Sequence, residues 1–367
     1  MIRKTGGWTA AVMAMAIVGF AGAPRSALAQ GSKWQADHDA GWKAYQEGRL
    51  DEAEARLRAA EKEAEGFGAN DPRLATTLDH LSWVLCTEGK SAEAEPLAKR
   101  ALALREQALG GEHPDVVKSL NTLACLYDME GKPAEAKPLY ERCLALAEKA
   151  QGPEHPSVAA VLDNLATVDH VLGQNDEAEA AYKRALAIRE KTPDGTPITL
   201  APTLYNLGVL YLDQGKFAEA EPLLKRALAI REETLGAEHP DVATSLETLG
   251  WLYAKQGQLG AAEPLLKRAL AIYEATLGPD HPHVARCCAK LAHACCAQGR
   301  NDEAESCCKQ ALVIYEKTPG ADPINFAKAL DEYATVLRKT DRAAAAEKVE
   351  ARARALREGR GHTHTPK

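Results

Sequence analysis

Aromatic residues are scarce in this chain, 5% of 367 residues with four phenylalanines, and that scarcity argues against a sheet-based core. Alanine and leucine dominate instead, which suits many thin helices in close contact and predicts almost no strand. A cationic surplus is also missing. Lys and Arg number 45 against 52 Asp and Glu, a net charge of −7, which disfavours nucleic acid and anionic membrane as partners. No Cys-x-x-Cys occurs among the nine cysteines, and His283 with Cys287 is the one four-residue histidine–cysteine pair, so a metal centre lacks its usual ligand spacing. Gly89-Lys90-Ser91 ends like a phosphate-binding loop, but the glycine required five residues earlier is Val84. No other catalytic motif is legible, and the expectation is a protein that is not an enzyme and needs no cofactor.

Residues 1–29 form a separate class of segment. Arg3 and Lys4 precede an apolar run from Thr9 to Ala23 and then Ala27-Leu28-Ala29, the layout of a secretory signal peptide with cleavage expected between Ala29 and Gln30. The run is too short to span a bilayer comfortably, and no cysteine follows to carry a lipid. Cleavage removes Arg3, Lys4 and Arg25, leaving 42 basic against 52 acidic residues, or −10. A periplasmic or secreted protein without stable membrane insertion is expected.

What the chain has in abundance is repetition. Turn glycines stand at Gly89, Gly131, Gly173, Gly215, Gly257 and Gly299, 42 residues apart at every step. In the copy from Gly236 to Leu277, Val242, Leu246, Leu249, Gly250 and Tyr253 share one face of a first helix. Ala262, Leu265, Leu266, Ala269 and Ile272 share one face of a second, and Gly278 stops it. Each copy is a helical hairpin that cannot hide its apolar stripe alone, so successive hairpins must stack. With degenerate end copies turning at Gly48 and Asp341, the count is eight hairpins over residues 30–357, and 358–367 read as a disordered tail. Columns of small residues, such as Ala94, Ala136, Ala178, Ala220, Ala262 and Ala304, mark where helices touch. Pro96, Pro138, Pro222 and Pro264 are expected in or near the first turn of the second helix. Asp169 breaks a column that otherwise holds Tyr127, Tyr211 and Tyr253, and is expected to turn to solvent or to hydrogen-bond locally.

The Leu249, Gly250, Tyr253 and Ala262 pattern resembles the tetratricopeptide repeat. The 42-residue unit, with Gly-x-x-His-Pro-x-Val at 110–116, 236–242 and 278–284, is similar to the longer repeat of kinesin light chains. The resemblance implies an all-α, right-handed superhelical solenoid whose first helices line a concave wall that binds a protein or an extended peptide, and hence an interaction scaffold. On that wall the candidate binding residues are Trp83, Lys118, Asn121, Asn164, Tyr205, Asn206, Glu247, Trp251 and Lys290. The amides donate to and accept from a peptide backbone, and the aromatics are apolar anchors. Lys118, Arg286 and Lys290 are too scattered for a two-carboxylate clamp.

Six cysteines between Cys287 and Cys308 support a competing reading, a redox or metal-binding protein, and a purely structural or oligomerising spacer is a third. Cys288, Cys295 and Cys308 replace core residues of the repeat, whereas Cys287 and Cys296 are expected to point elsewhere. Cys288 and Cys295 sit roughly 10.5 Å apart along one helix, too far to bridge, so Cys295 with Cys308 is the favoured disulfide. Cys86 with Cys125 is a second possible bridge between neighbouring hairpins.

Overall fold

A computed structural model describes residues 32–358 apart from 69–70, 193–196 and 319–321; the expected signal segment and its cleavage site lie outside the described residues, as does the tail from 359. The described residues contain sixteen α-helices and no strand. They pair in order as α1 (Ser32–Gln46) with α2 (Leu50–Ala64), α3 (Pro72–Thr87) with α4 (Ser91–Leu109), α5 (Val116–Met129) with α6 (Pro133–Gln151), and α7 (Pro156–Val171) with α8 (Asn175–Lys191). Then follow α9 (Leu200–Asp213) with α10 (Phe217–Leu235), α11 (Pro240–Lys255) with α12 (Leu259–Leu277), α13 (Pro282–Ala297) with α14 (Asn301–Lys317), and α15 (Pro323–Lys339) with α16 (Ala343–Glu358). The described helices divide into two compact units of four hairpins each, α1–α8 and α9–α16.

Each hairpin turn has the same cause. Gly257 adopts φ 76°, its N–H bonds the Ala254 carbonyl at 3.0 Å, and the Gln258 N–H reaches back to Tyr253 at 2.8 Å, the pairing that satisfies a helix's last carbonyls around a left-handed residue. Asp341 takes the same conformation at φ 57° in the last hairpin. His-Pro owes its recurrence to the next helix start. His155, His239 and His281 are N-caps whose Nδ1 accepts the N–H two residues on, at 3.2, 3.1 and 3.1 Å, with proline following at the first helical position. Asp71 and Asp322 cap α3 and α15 in the same way. Replacing His239 with alanine is expected to cost about 1 kcal/mol in urea denaturation, and replacing it with aspartate to cost little, since the carboxylate restores the acceptor.

Where the two helices of a hairpin meet, side-chain sizes are matched copy by copy. A Cβ on Gly250 would lie 2.9 Å from Leu266 Cγ, and one on Gly208 would lie 2.7 Å from Leu224 Cγ. In the third hairpin, where Tyr140 takes the leucine position and turns its hydroxyl to Cys125, Ala124 fits. The prolines of the second helices differ from expectation. Pro96, Pro138, Pro222 and Pro264 lie inside α4, α6, α10 and α12, because these helices begin five residues earlier, directly after the turn. Each removes one backbone donor that the start of the helix would otherwise pair.

Candidate functional site

First helices of neighbouring hairpins lie against one another within each unit, α3 with α5 and α13 with α15 among them, and their shared surface is the candidate wall. Most of its polar side chains are already paired, and the pairing follows a rule. A residue of one hairpin meets the residue 43 positions later in the next. Asn164 Nδ2 donates to Asn121 Oδ1 at 3.2 Å, Tyr205 and Thr248 share a hydroxyl hydrogen bond at 2.9 Å, and Lys290 Nζ lies 3.0 Å from Glu247 Oε1. A second rule runs inside several hairpins, where the end of the second helix reaches the wall residue 26 positions earlier. Arg105 pairs with Asp79, Arg189 with Asp163, and Tyr273 donates to Glu247 at 3.0 Å. At the fifth hairpin the guanidinium of Arg231 instead lies 4.7 Å from the Tyr205 ring centroid and donates to Ser245 at 2.7 Å. These reaching residues were not identified from the sequence, although complementary charges 26 residues apart would have signalled them.

Two expected binding residues are therefore corrected. Glu247 is 1% exposed and takes two hydrogen bonds from Arg286, at 2.8 and 2.7 Å, besides those from Lys290 and Tyr273. Burial pushes its carboxyl up, but the Arg286 and Lys290 charges outweigh burial and hold it well below the usual carboxylate range. It belongs to the protein's interior and does not face a ligand. Trp83 is also buried and donates its Nε1–H to the Tyr45 hydroxyl at 2.6 Å. Other positions retain accessible surface. Lys118 is exposed beside Asp115 at 2.7 Å, Asn121, Asn164, Tyr205 and Asn206 are half-buried, and Trp251 is half-buried with Lys255 and Lys290 ammonium groups 4.4 and 5.8 Å from its centroid.

Asp169 neither faces solvent nor bonds locally. It is 3% exposed and accepts from Lys137 Nζ at 2.7 Å, across two hairpins. Neighbouring copies place tyrosine and glutamate at these two columns, with Tyr127 donating to Glu95 at 3.2 Å and Tyr253 to Glu221 at 2.9 Å. The Tyr-to-Asp change on α7 is thus matched by a Glu-to-Lys change on α6.

All nine cysteines carry free thiols, so neither Cys295 with Cys308 nor Cys86 with Cys125 is bridged. Cys86 instead donates to the Met129 sulfur at 3.8 Å, and Cys125 accepts from Tyr140 at 3.0 Å. Cys287 and Cys296 are buried rather than turned away, since α13 is packed by helices of its own and both adjoining hairpins. Burial pushes the Cys288 thiol up to about 12 and the Cys307 thiol up to about 11, which suppresses the thiolate that redox or metal chemistry needs there. Among the described residues no group of three or more His, Cys, Asp or Glu is placed to hold a metal ion, and no helix is long and apolar enough to cross a membrane.

Stacked helical hairpins with small residues at the helix contacts define an α-helical repeat protein. The Tetratricopeptide repeat family profile matches residues 43–107, 84–149, 130–191, 199–275 and 285–359, and the chain belongs to that family. Among solved structures it is 27% identical to BtubC (BKLC) from P. vanneervenii, over 68% of this chain and 93% of that one, with a TM-score of 0.51. A putative kinesin light chain of Podosopora anserina with nearly identical TPR-like repeats is 32% identical over 56% of this chain and 97% of its own, with a TM-score of 0.49. The apo form of RapI shares the fold at 16% identity, covering 77% of this chain and 98% of that one, with a TM-score of 0.60. No match was found among curated proteins. Tetratricopeptide repeats serve protein–protein interaction, and the chain is a scaffold of that kind.

Proposed function

We propose that the protein is a secreted or periplasmic, non-enzymatic scaffold that binds a protein or an extended peptide on the wall formed by its first helices. One observation carries this reading. After the wall's internal ion pairs are accounted for, the first unit keeps the amides of Asn121 and Asn164 accessible, and the second keeps the amide of Asn206 and the cation-flanked indole of Trp251. The Asn121–Asn164 hydrogen bond uses one donor and one acceptor, leaving each amide capacity for a peptide backbone. Trp251 offers the apolar area on which interface affinity concentrates. Buried thiols without a metal-competent cluster among the described residues argue against the redox or metal reading.

The test is capture of partners from native periplasmic extract by the wild type and by a variant with alanine at Asn121, Asn164, Asn206 and Trp251. Loss of at least ten-fold in captured partner, with an unchanged helical melting curve, is expected. Equal capture by both proteins would sink the wall assignment. Glu247 and Trp83 are excluded from the variant because their loss would damage packing rather than recognition.

A further inference from the structure

The first two hairpins carry a run of stacked rings that nothing above employs. Trp34 stacks on His38 with centroids 4.9 Å apart, His38 on His80 at 4.9 Å, His80 on Trp42 at 4.2 Å, and Trp42 on Tyr45 at 5.1 Å. His80 stands on α3 and the other four rings on α1, so the stack is a seam that joins the first hairpin to the second. Trp34 Nε1 donates to Thr77 Oγ1 at 2.9 Å and Trp83 Nε1 to the Tyr45 hydroxyl at 2.6 Å, fixing the seam at both ends. At its centre His38 Nε2 and His80 Nδ1 are buried with no hydrogen-bond partner.

We propose that this seam is an acid-sensitive latch: neutral His38 and His80 hold the first hairpin against the second, and their protonation releases it. The surrounding charges give the imidazolium form little support, Asp39 at His38 being the exception. On α1, Asp39 lies 3.3 Å from His38 Nδ1 but is largely solvated and also accepts from Gln35 at 2.8 Å, while Asp37 is taken by Arg56 of α2 at 2.9 Å. On α3, Asp79 is engaged by Arg105 of α4 and by Ser119 of α5, and Arg73 lies over Trp34 at 5.7 Å. Lys118 of α5 is paired with Asp115. The Arg105 charge opposes protonation of His80, and a second proton would bring two like charges into ring-to-ring contact.

Burial lowers both histidines from their ordinary value, His80 to about 3. A group whose folded pKa is depressed below about 6.5 binds its proton mainly in the undocked state. Docking is therefore fully supported above that pH and weakens as pH falls beneath it. At pH 5 the docking equilibrium falls by up to about thirty-fold for each such histidine.

Hydrogen exchange of the full chain at pH 7.5 and pH 5.0, corrected for intrinsic rates, tests the latch. Protection of α1–α3 is expected to drop at least ten-fold at pH 5.0 while α5–α7 keep theirs; His80→Phe, which retains a ring without a proton site, is expected to shrink the drop, and His38→Phe with His80→Phe to abolish it. Imidazole titration of the wild type by NMR gives a readout independent of any variant, with a midpoint below 6 expected for His80. Equal protection at both pH values, a uniform loss along the unit, a drop undiminished in the His38→Phe/His80→Phe protein, or a His80 midpoint at or above 6.5 each overturns the proposal.

Discussion

Replacing Lys137 with methionine is expected to destabilise the first unit by about 3 kcal/mol, at the lower end of the range for breaking a buried ion pair because the lysine is itself partly solvated. Asp169 is left behind at 3% exposure with its 2.7 Å partner gone, and an uncompensated buried carboxylate carries the cost. The informative comparison is a double variant. Lys137→Glu with Asp169→Tyr recreates the arrangement seen in Glu95 with Tyr127 and Glu221 with Tyr253, and should recover most of the loss, whereas either substitution alone should not. Urea denaturation, with hydrogen exchange resolved at α6 and α7, measures both effects. A loss below about 0.5 kcal/mol for Lys137→Met, or a double variant as unstable as the worse single, refutes the matched-pair account.

A comparable loss, about 3–5 kcal/mol, is expected in the second unit for Arg286→Met, since Glu247 is almost wholly buried and loses a bidentate partner. The pH dependence separates this from a simple packing defect. Glu247 is held well below its unfolded value, so its pair contributes fully above about pH 4.5 and its contribution is lost as pH falls through the lower folded value. Without Arg286 that depression is reduced. The stability gap between wild type and variant should therefore be widest near pH 7 and narrow below pH 4.5. A gap that is constant from pH 7 to pH 3 would assign the loss to packing and defeat the electrostatic explanation. Glu247→Leu with Arg286→Met should regain part of the deficit, as apolar replacements of whole buried pairs commonly do.

The architecture was readable because its causes are local and repeated. A left-handed turn residue every 42 positions, a capping side chain before proline, and alanine where helices touch each leave a mark at a fixed place in most copies. The wall was readable only in outline. Helical periodicity locates Glu247 and Trp83 on the first helix, but their burial depends on Arg286 and Lys290 in one case and Tyr45 in the other, residues of adjoining hairpins that no single-helix pattern contains. Asp169 looked anomalous in its own column because its explanation, Lys137, lies in another. The prolines of the second helices were misplaced for a simpler reason. Their distance from the turn was judged from where a proline is tolerated best, and the helices start immediately after the turn regardless.

The 43-residue pairing has a consequence for how such a chain can change over time. Removing or adding one whole 42-residue period leaves the helical pattern undisturbed. A chain that lost one period spanning α13 and α14 would keep its hydrophobic stripe intact, yet it would bring Lys328 to the position of Arg286 and Glu332 to that of Lys290, setting one carboxylate against buried Glu247. Repulsion between those like charges would destabilise the shortened chain. The polar pairs thus make the order of hairpins matter at positions where apolar stacking alone would accept any copy.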